Sequence, residues 1–180
     1  MVDIVEIIDQ HMQTRKIMVC KNFRDENYDL VNDDYRATIP VLDQSGNSLQ
    51  PPLEVRIVCP VGISELKFHI SLLVITGAKR NDRKSICRLD FGANEGHRFN
   101  PSAPPPEGWD WSRFPTREIH GSHIHPWQLN RHLASGRKLP KNLHFAEAIE
   151  AAGWDDAFDA FCEINLITYD RRPHCRRGLL

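Results

Sequence analysis

Hydrophobic and polar positions alternate most cleanly over residues 53–59, where Leu53, Val55, Ile57 and Cys59 oppose Glu54, Arg56 and Val58. That period of two predicts a half-buried strand. Residues 66–76 repeat the pattern, with Phe68, Ile70, Leu72 and Val74 on one face. Lys67, His69, Ser71, Leu73 and Ile75 form the other, so the second half of this strand is apolar on both sides. Residues 85–91 return as a strand that sets Ile86, Arg88 and Asp90 against Cys87, Leu89 and Phe91. The polar stretch 77–84 between them, opened by Gly77, predicts a long hairpin. A strand over 35–43 crosses Pro40, which cannot donate to a ladder, and an edge position follows. Pro51-Pro52 predicts a break just before residue 53.

The spacing changes toward both ends. Ile4, Ile7, Ile8 and Met12 recur with the period of an amphipathic helix over about 3–14, with Asp3 as its cap and Glu6 three residues on, as in a capping box. Residues 142–152 place Phe145, Ala146 and Ile149 on one helical face, closed by Gly153. Residues 155–164 do the same with Ala157, Phe158, Phe161 and Cys162, and 164–169 turn into a last strand. Helix, strands, loop, a histidine-bearing strand and two helices together predict an α+β fold. Its expected form is an antiparallel sheet of about five to six strands, with the N-terminal helix and both C-terminal helices packed on one face. Residues 1–170 make one domain, and 171–180 a basic, flexible tail.

Composition narrows the function. With 180 residues, 41% of them hydrophobic, the chain can build one core. A formal charge of −1 excludes the global basic field of a nucleic-acid binder. Two local patches, Lys79-Arg80-Asn81-Asp82-Arg83-Lys84 and the tail arginines, leave phosphate contact open. The longest apolar run is strand-sized, no membrane partner is expected, and acids stand where a signal peptide needs bases, which points to the cytoplasm. Five cysteines without a C-x-x-C pair, three of them (Cys59, Cys87, Cys162) inside apolar runs, read as reduced buried thiols. There is no Gly-rich phosphate loop, G-x-S-x-G elbow or H-E-x-x-H motif.

Candidate chemistry gathers around residues 119–132. Four of the nine histidines (His120, His123, His125, His132) fall within thirteen residues. As strand neighbours at i and i+2, His123 and His125 point to one face. Two such imidazoles can share a divalent metal with His120 as a further ligand, act as an acid/base pair, or stand as structural groups in a strand. Arg88 and Asp90 share a strand face as well. Asp90 suits the orientation of an imidazole and Arg88 the binding of a phosphate, although an exposed Arg–Asp pair alone adds little. His97 adds a third candidate imidazole. Residues 92–117 hold five prolines together with Trp109, Trp111 and Phe114. Such loops are functional or disordered, and tryptophans there want a surface to cover.

Cys87-Arg88-Leu89-Asp90-Phe91-Gly92, His97-Arg98-Phe99-Asn100-Pro101, His123-Ile124-His125, Leu139-Pro140 and the closing Phe158-Asp159-Ala160-Phe161-Cys162 resemble a small bacterial family of unknown function. Its marks are an R-L-D strand, an H-x-N-P turn and an H-x-H strand, and the resemblance covers about residues 70–167. The His-to-Asn spacing is one residue longer here, and Ser102-Ala103 stand where the family has Asp-Gly. The resemblance implies a place on prophages and other mobile elements, and no activity.

Three functions stay open, the third in rank being a small-ligand or metal sensor that uses the same residues without turnover. One is an enzyme acting on a phosphodiester or nucleotide, with His123, His125 and His97 as acid/base groups or ligands, Arg88 balancing negative charge and Asp90 orienting a histidine. The second is a non-catalytic mobile-element inhibitor of a host defence complex, a protein or nucleic-acid assembly, anchored by Trp109, Trp111 and Trp127.

Overall fold

The computed structural model describes residues 3–20, 29–31, 34–60, 67–79, 82–92, 98–99, 118–134 and 138–173. Helix α1 (Ile4–Gln13) opens the chain, and the Asp3 carboxylate accepts from Val5 N at 2.9 Å as its N-cap. Strands β1 (Lys16–Met18), β2 (Asp29–Val31), β3 (Asp34–Leu42), β4 (Ser48–Pro60), β5 (Phe68–Ile75) and β6 (Arg83–Phe91) follow. Next come β7 (Arg98–Phe99), β8 (Glu118–Ile119) and β9 (His123–His125), then α2 (Trp127–Asn130), which tightens into a 3-10 turn at Arg131–Leu133. The chain closes with β10 (Glu147–Ala148), α3 (Trp154–Ile164) and β11 (Ile167–Tyr169).

The main sheet runs β10-β9-β6-β5-β4-β3-β1-β11, with β2 also on β3, and β7 pairs β8 separately. The α+β class holds, but the sheet is wider than five or six strands and it is mixed, because β1 and β11 run parallel. The added strands are two or three residues long, too short to display a period of their own.

One face of the sheet is apolar. Ile39, Val55, Ile57, Ile70, Leu72 and Leu89 join Val5, Ile8 and Met12 of α1 and Ala157, Phe158 and Phe161 of α3 in a single core. Trp154 meets Phe68 edge-on at 4.8 Å, and Asp155 and Asp156 suit the positive end of the α3 dipole. Among the described residues no helix is long and apolar enough to cross a membrane.

Three local expectations are corrected. Residues 142–152 form no helix: the segment is extended, with β10 on β9 (Glu147 opposite Ile124). The side chain of Asn130 bonds both backbone groups of Phe145, and this tertiary tie overrides the helical spacing. Pro40 is not on an outer strand. It faces Glu54 of β4, while on its other side β1 pairs with Val41 and Leu42 and β2 with residues 34–36, so among the described residues no ladder asks for its missing N–H. Pro51 and Pro52 lie within β4, at a register shift where Val41 faces Leu53 and Leu42 faces Ser48, leaving 49–52 without partners on β3.

The β5–β6 hairpin is as expected, with one irregularity that matters. Leu72 faces Cys87 while Leu73 faces Ser85, so Ile86 is the extra residue of a bulge and is fully buried instead of joining Arg88 on the polar face. Beyond the bulge the register places His69 opposite Asp90 and Ser71 opposite Arg88.

Candidate metal centre

The face of the sheet away from α1 and α3 is largely polar, and its polar residues converge where β5, β6 and β9 lie side by side. Register sets the geometry: His69 faces Asp90, and Asp90 faces His123 across the next strand pair, with Arg88 opposite His125. Because residues opposite one another share a face, these five side chains emerge together. Asp90 and His123 have no exposed surface, and His125 is 3% exposed.

Each histidine of β9 is oriented by a backbone carbonyl. His123 Nδ1 lies 2.8 Å from Gly121 O, and His125 Nδ1 lies 3.1 Å from Phe145 O. A carbonyl only accepts, so each ring carries a proton on Nδ1, and in its neutral form presents the Nε2 lone pair. Gly121 reaches its position through φ of +76°, a left-handed conformation that favours glycine, in the turn that enters β9. Phe145 O is held in turn by Asn130, which has no exposed surface. Its Nδ2 donates to Phe145 O at 2.8 Å and to Pro126 O at 2.9 Å, and its Oδ1 accepts from Phe145 N at 2.9 Å.

The two Nε2 atoms meet one carboxylate oxygen. Asp90 Oδ2 is 3.4 Å from His123 Nε2 and 3.6 Å from His125 Nε2. The other oxygen, Oδ1, accepts from Arg88 Nε at 2.7 Å and from His69 Nδ1 at 2.5 Å. Burial alone would push the Asp90 carboxyl up; His123, His125, His69 and the Arg88 charge outweigh it and hold the group well below the usual carboxylate range. His123 Nε2 is buried with no hydrogen-bond partner among the described residues. With both imidazoles neutral, two Nε2 lone pairs would stand against a carboxylate oxygen, so the arrangement asks for positive charge there, either a proton on Nε2 that donates to Asp90 or a cation between them.

One ligand atom from each of Asp90, His123 and His125 lies within 4.8 Å of the others. A tetrahedral centre with bonds near 2.0–2.1 Å has ligand–ligand edges of about 3.3–3.4 Å. The 3.4 and 3.6 Å separations are close to that. Two histidines and a carboxylate are the donor set of open zinc and non-haem iron sites. The residues fit a divalent cation.

The expected residues divide. Arg88, Asp90, His123 and His125 come together. His120, expected as a further metal ligand, is exposed on the turn before Gly121 and stands outside the three-residue group. His132 lies on the surface, its ring 4.9 Å from that of Phe145. Trp127, expected as a partner anchor, is 1% exposed and belongs to the core; its indole donates to Asp9 of α1 at 2.8 Å, so that assignment is corrected. His97, Trp109, Trp111 and Phe114 lie outside the described residues, as do Cys175 and part of the basic loop. Cys59, Cys87 and Cys162 are buried cysteines outside any disulfide, as expected. Burial pushes the Cys87 thiol up to about 12, which removes it as a nucleophile.

His69 was the residue missed. It stands twenty-one positions before Asp90, and the signal was in the hairpin: it shares the polar face of β5, and antiparallel register pairs it with Asp90. No family model, curated protein or solved structure matches this chain.

Proposed function

We propose that Asp90, His123 and His125 hold a divalent cation of the zinc class, and that the protein is a metal-dependent hydrolase of a phosphodiester or nucleotide. The observation that carries this reading is the meeting of two carbonyl-oriented Nε2 lone pairs with one Asp90 oxygen, at separations close to tetrahedral edges. A proton shared between Asp90 and one imidazole would align that pair as a hydrogen bond. Instead both imidazoles stand at nearly equal distance.

A cation in this place supplies Lewis-acid polarisation of a phosphoryl oxygen. The protein's own groups do the rest. Arg88, its side chain 40% exposed, extends from the buried carboxylate to solvent and offers guanidinium N–H groups to a phosphate. His69, its side chain 28% exposed, donates through Nδ1 to Asp90, which leaves Nε2 for proton exchange with a bound substrate or leaving group. Gly121, Asn130 and Phe145 hold the two ligand rings in register.

The test is metal content of tag-free protein by inductively coupled plasma mass spectrometry, with turnover of bis(p-nitrophenyl) phosphate as a generic probe. Wild type should carry near-stoichiometric zinc, manganese or iron and lose it in the His123→Ala, His125→Ala variant. His69→Ala should keep the metal and lower turnover. Absence of metal from wild type, with melting unchanged by chelator and by added zinc, would refute the centre. Metal retained without turnover would refute only the hydrolase.

A further inference from the structure

A second feature owes nothing to the metal centre. A cleft of about 820 Å³ opens between the start of α1, the start of β4, the facing ends of β5 and β6, and residues 138–141. None of Asp90, His123 or His125 lines it. Its size is that of small-molecule sites, which span about 300–1,000 Å³.

The lining has two characters. Ile4, Pro51, Ile75 and Leu139 supply apolar walls from four separate segments. Lys84, Lys138 and Lys141 supply the charge, and among the described residues no carboxylate joins them in the wall. Among the described residues none of these lysines forms an ion pair. By contrast Arg36, Arg56, Arg83, Arg131 and Arg172 each have a carboxylate within reach. Three ammonium groups around one concave, partly apolar space repel one another and raise the local potential for an anion. Register brings them there: Lys84 faces Val74 at the last rungs of the β5–β6 ladder, next to Ile75.

We infer that this cleft binds a small amphipathic anion, a molecule with an apolar body and a phosphate or carboxylate head, at a site separate from the Asp90–His123–His125 centre. Inorganic phosphate alone would leave the apolar walls uncovered, and a neutral apolar molecule would leave the lysines unanswered. Pro51 and Leu139 take the body while Lys84, Lys138 and Lys141 take the head. A planar ring with a phosphate and an acyl chain with a carboxylate share this chemistry, and competition separates them.

The probe is 1-anilinonaphthalene-8-sulfonate, an aromatic body with one anionic head, titrated by fluorescence into the full chain. Wild type should bind it at one saturable site. A Lys84→Gln, Lys138→Gln, Lys141→Gln variant should bind at least tenfold more weakly, with unchanged metal content, which separates this site from the metal centre. Displacement by adenosine monophosphate identifies the ring-phosphate class, and displacement by dodecanoate the acyl class. Wild-type affinity in the triple variant, or displacement by inorganic phosphate as effective as either competitor, would overturn the inference. If the triple variant fails to fold, the single changes at the exposed Lys138 and Lys141 carry the same test, each expected to weaken binding about threefold; no effect from either would overturn it.

Discussion

Replacing Asp90 by Asn separates a metal-held centre from a proton-held one. The change is isosteric and removes one negative charge from a side chain with no exposed surface. On the Oδ1 side the amide oxygen still accepts from Arg88 and His69, but two charge-assisted bonds become ordinary ones, a loss of about 1 kcal/mol each. The exposure of Arg88 to water keeps that loss at the low end. On the Oδ2 side an NH2 group replaces an acceptor opposite two Nε2 lone pairs, which turns a repulsive contact into a donor facing acceptors. In chelator the variant should therefore unfold within about 2 kcal/mol of wild type. With metal at a thousandfold excess over Kd, wild type gains about 4 kcal/mol. For a chain of this size that is a rise in Tm of about 8–16 °C. The variant, short of a charged ligand, should gain little. Thermal unfolding followed by circular dichroism, in chelator and in zinc, reads both numbers. A wild-type Tm indifferent to zinc, or an Asn variant that gains as much as wild type, would refute the reasoning.

Other outcomes follow from single contacts. Asn130→Ala removes three buried hydrogen bonds and strands Phe145 N, so urea denaturation should show a loss of about 2–4 kcal/mol, together with weaker metal binding through the displaced Phe145 carbonyl. Trp127→Ala empties a fully packed site and removes the indole–Asp9 hydrogen bond, leaving Asp9 to Arg131, and should cost about 3–5 kcal/mol in the same assay, with Trp127→Phe in between. Gly121→Ala meets no atom within 4 Å of the new Cβ, so only its φ of +76° is strained, and a loss of about 1–2 kcal/mol in denaturant is expected. Lys16, buried with its ammonium donating to the His11 and Thr14 carbonyls, has a pKa pulled by desolvation from 10.5 down to about 8. The unfolded chain then binds the extra proton between those values, so stability should rise with pH from about 8 to 10.5 and level off above. Melts across that range should show the rise in wild type and a flatter profile in Lys16→Met; a parallel rise in the variant would assign it to other groups.

The residues by themselves determined the long strands, both terminal helices and the placing of Arg88 with Asp90 and of His123 with His125 on shared faces. Those features repeat over enough positions for burial on one side to impose a period of two or 3.6 on the chain. Only the tertiary structure decided the rest. β1 and β10 are two or three residues long and exist because a neighbouring strand offers its edge, whereas the last strand, expected over 164–169, is present as β11. Residues 142–152 carry helical spacing, yet Asn130 claims both backbone groups of Phe145 and draws the segment beside β9. The centre itself needed register. Periodicity assigns a residue to a face, but it does not say which residue of the next strand lies opposite. That pairing, made by the β5–β6 hairpin and by β9 against β6, brought His69 to one oxygen of Asp90 and two imidazoles to the other.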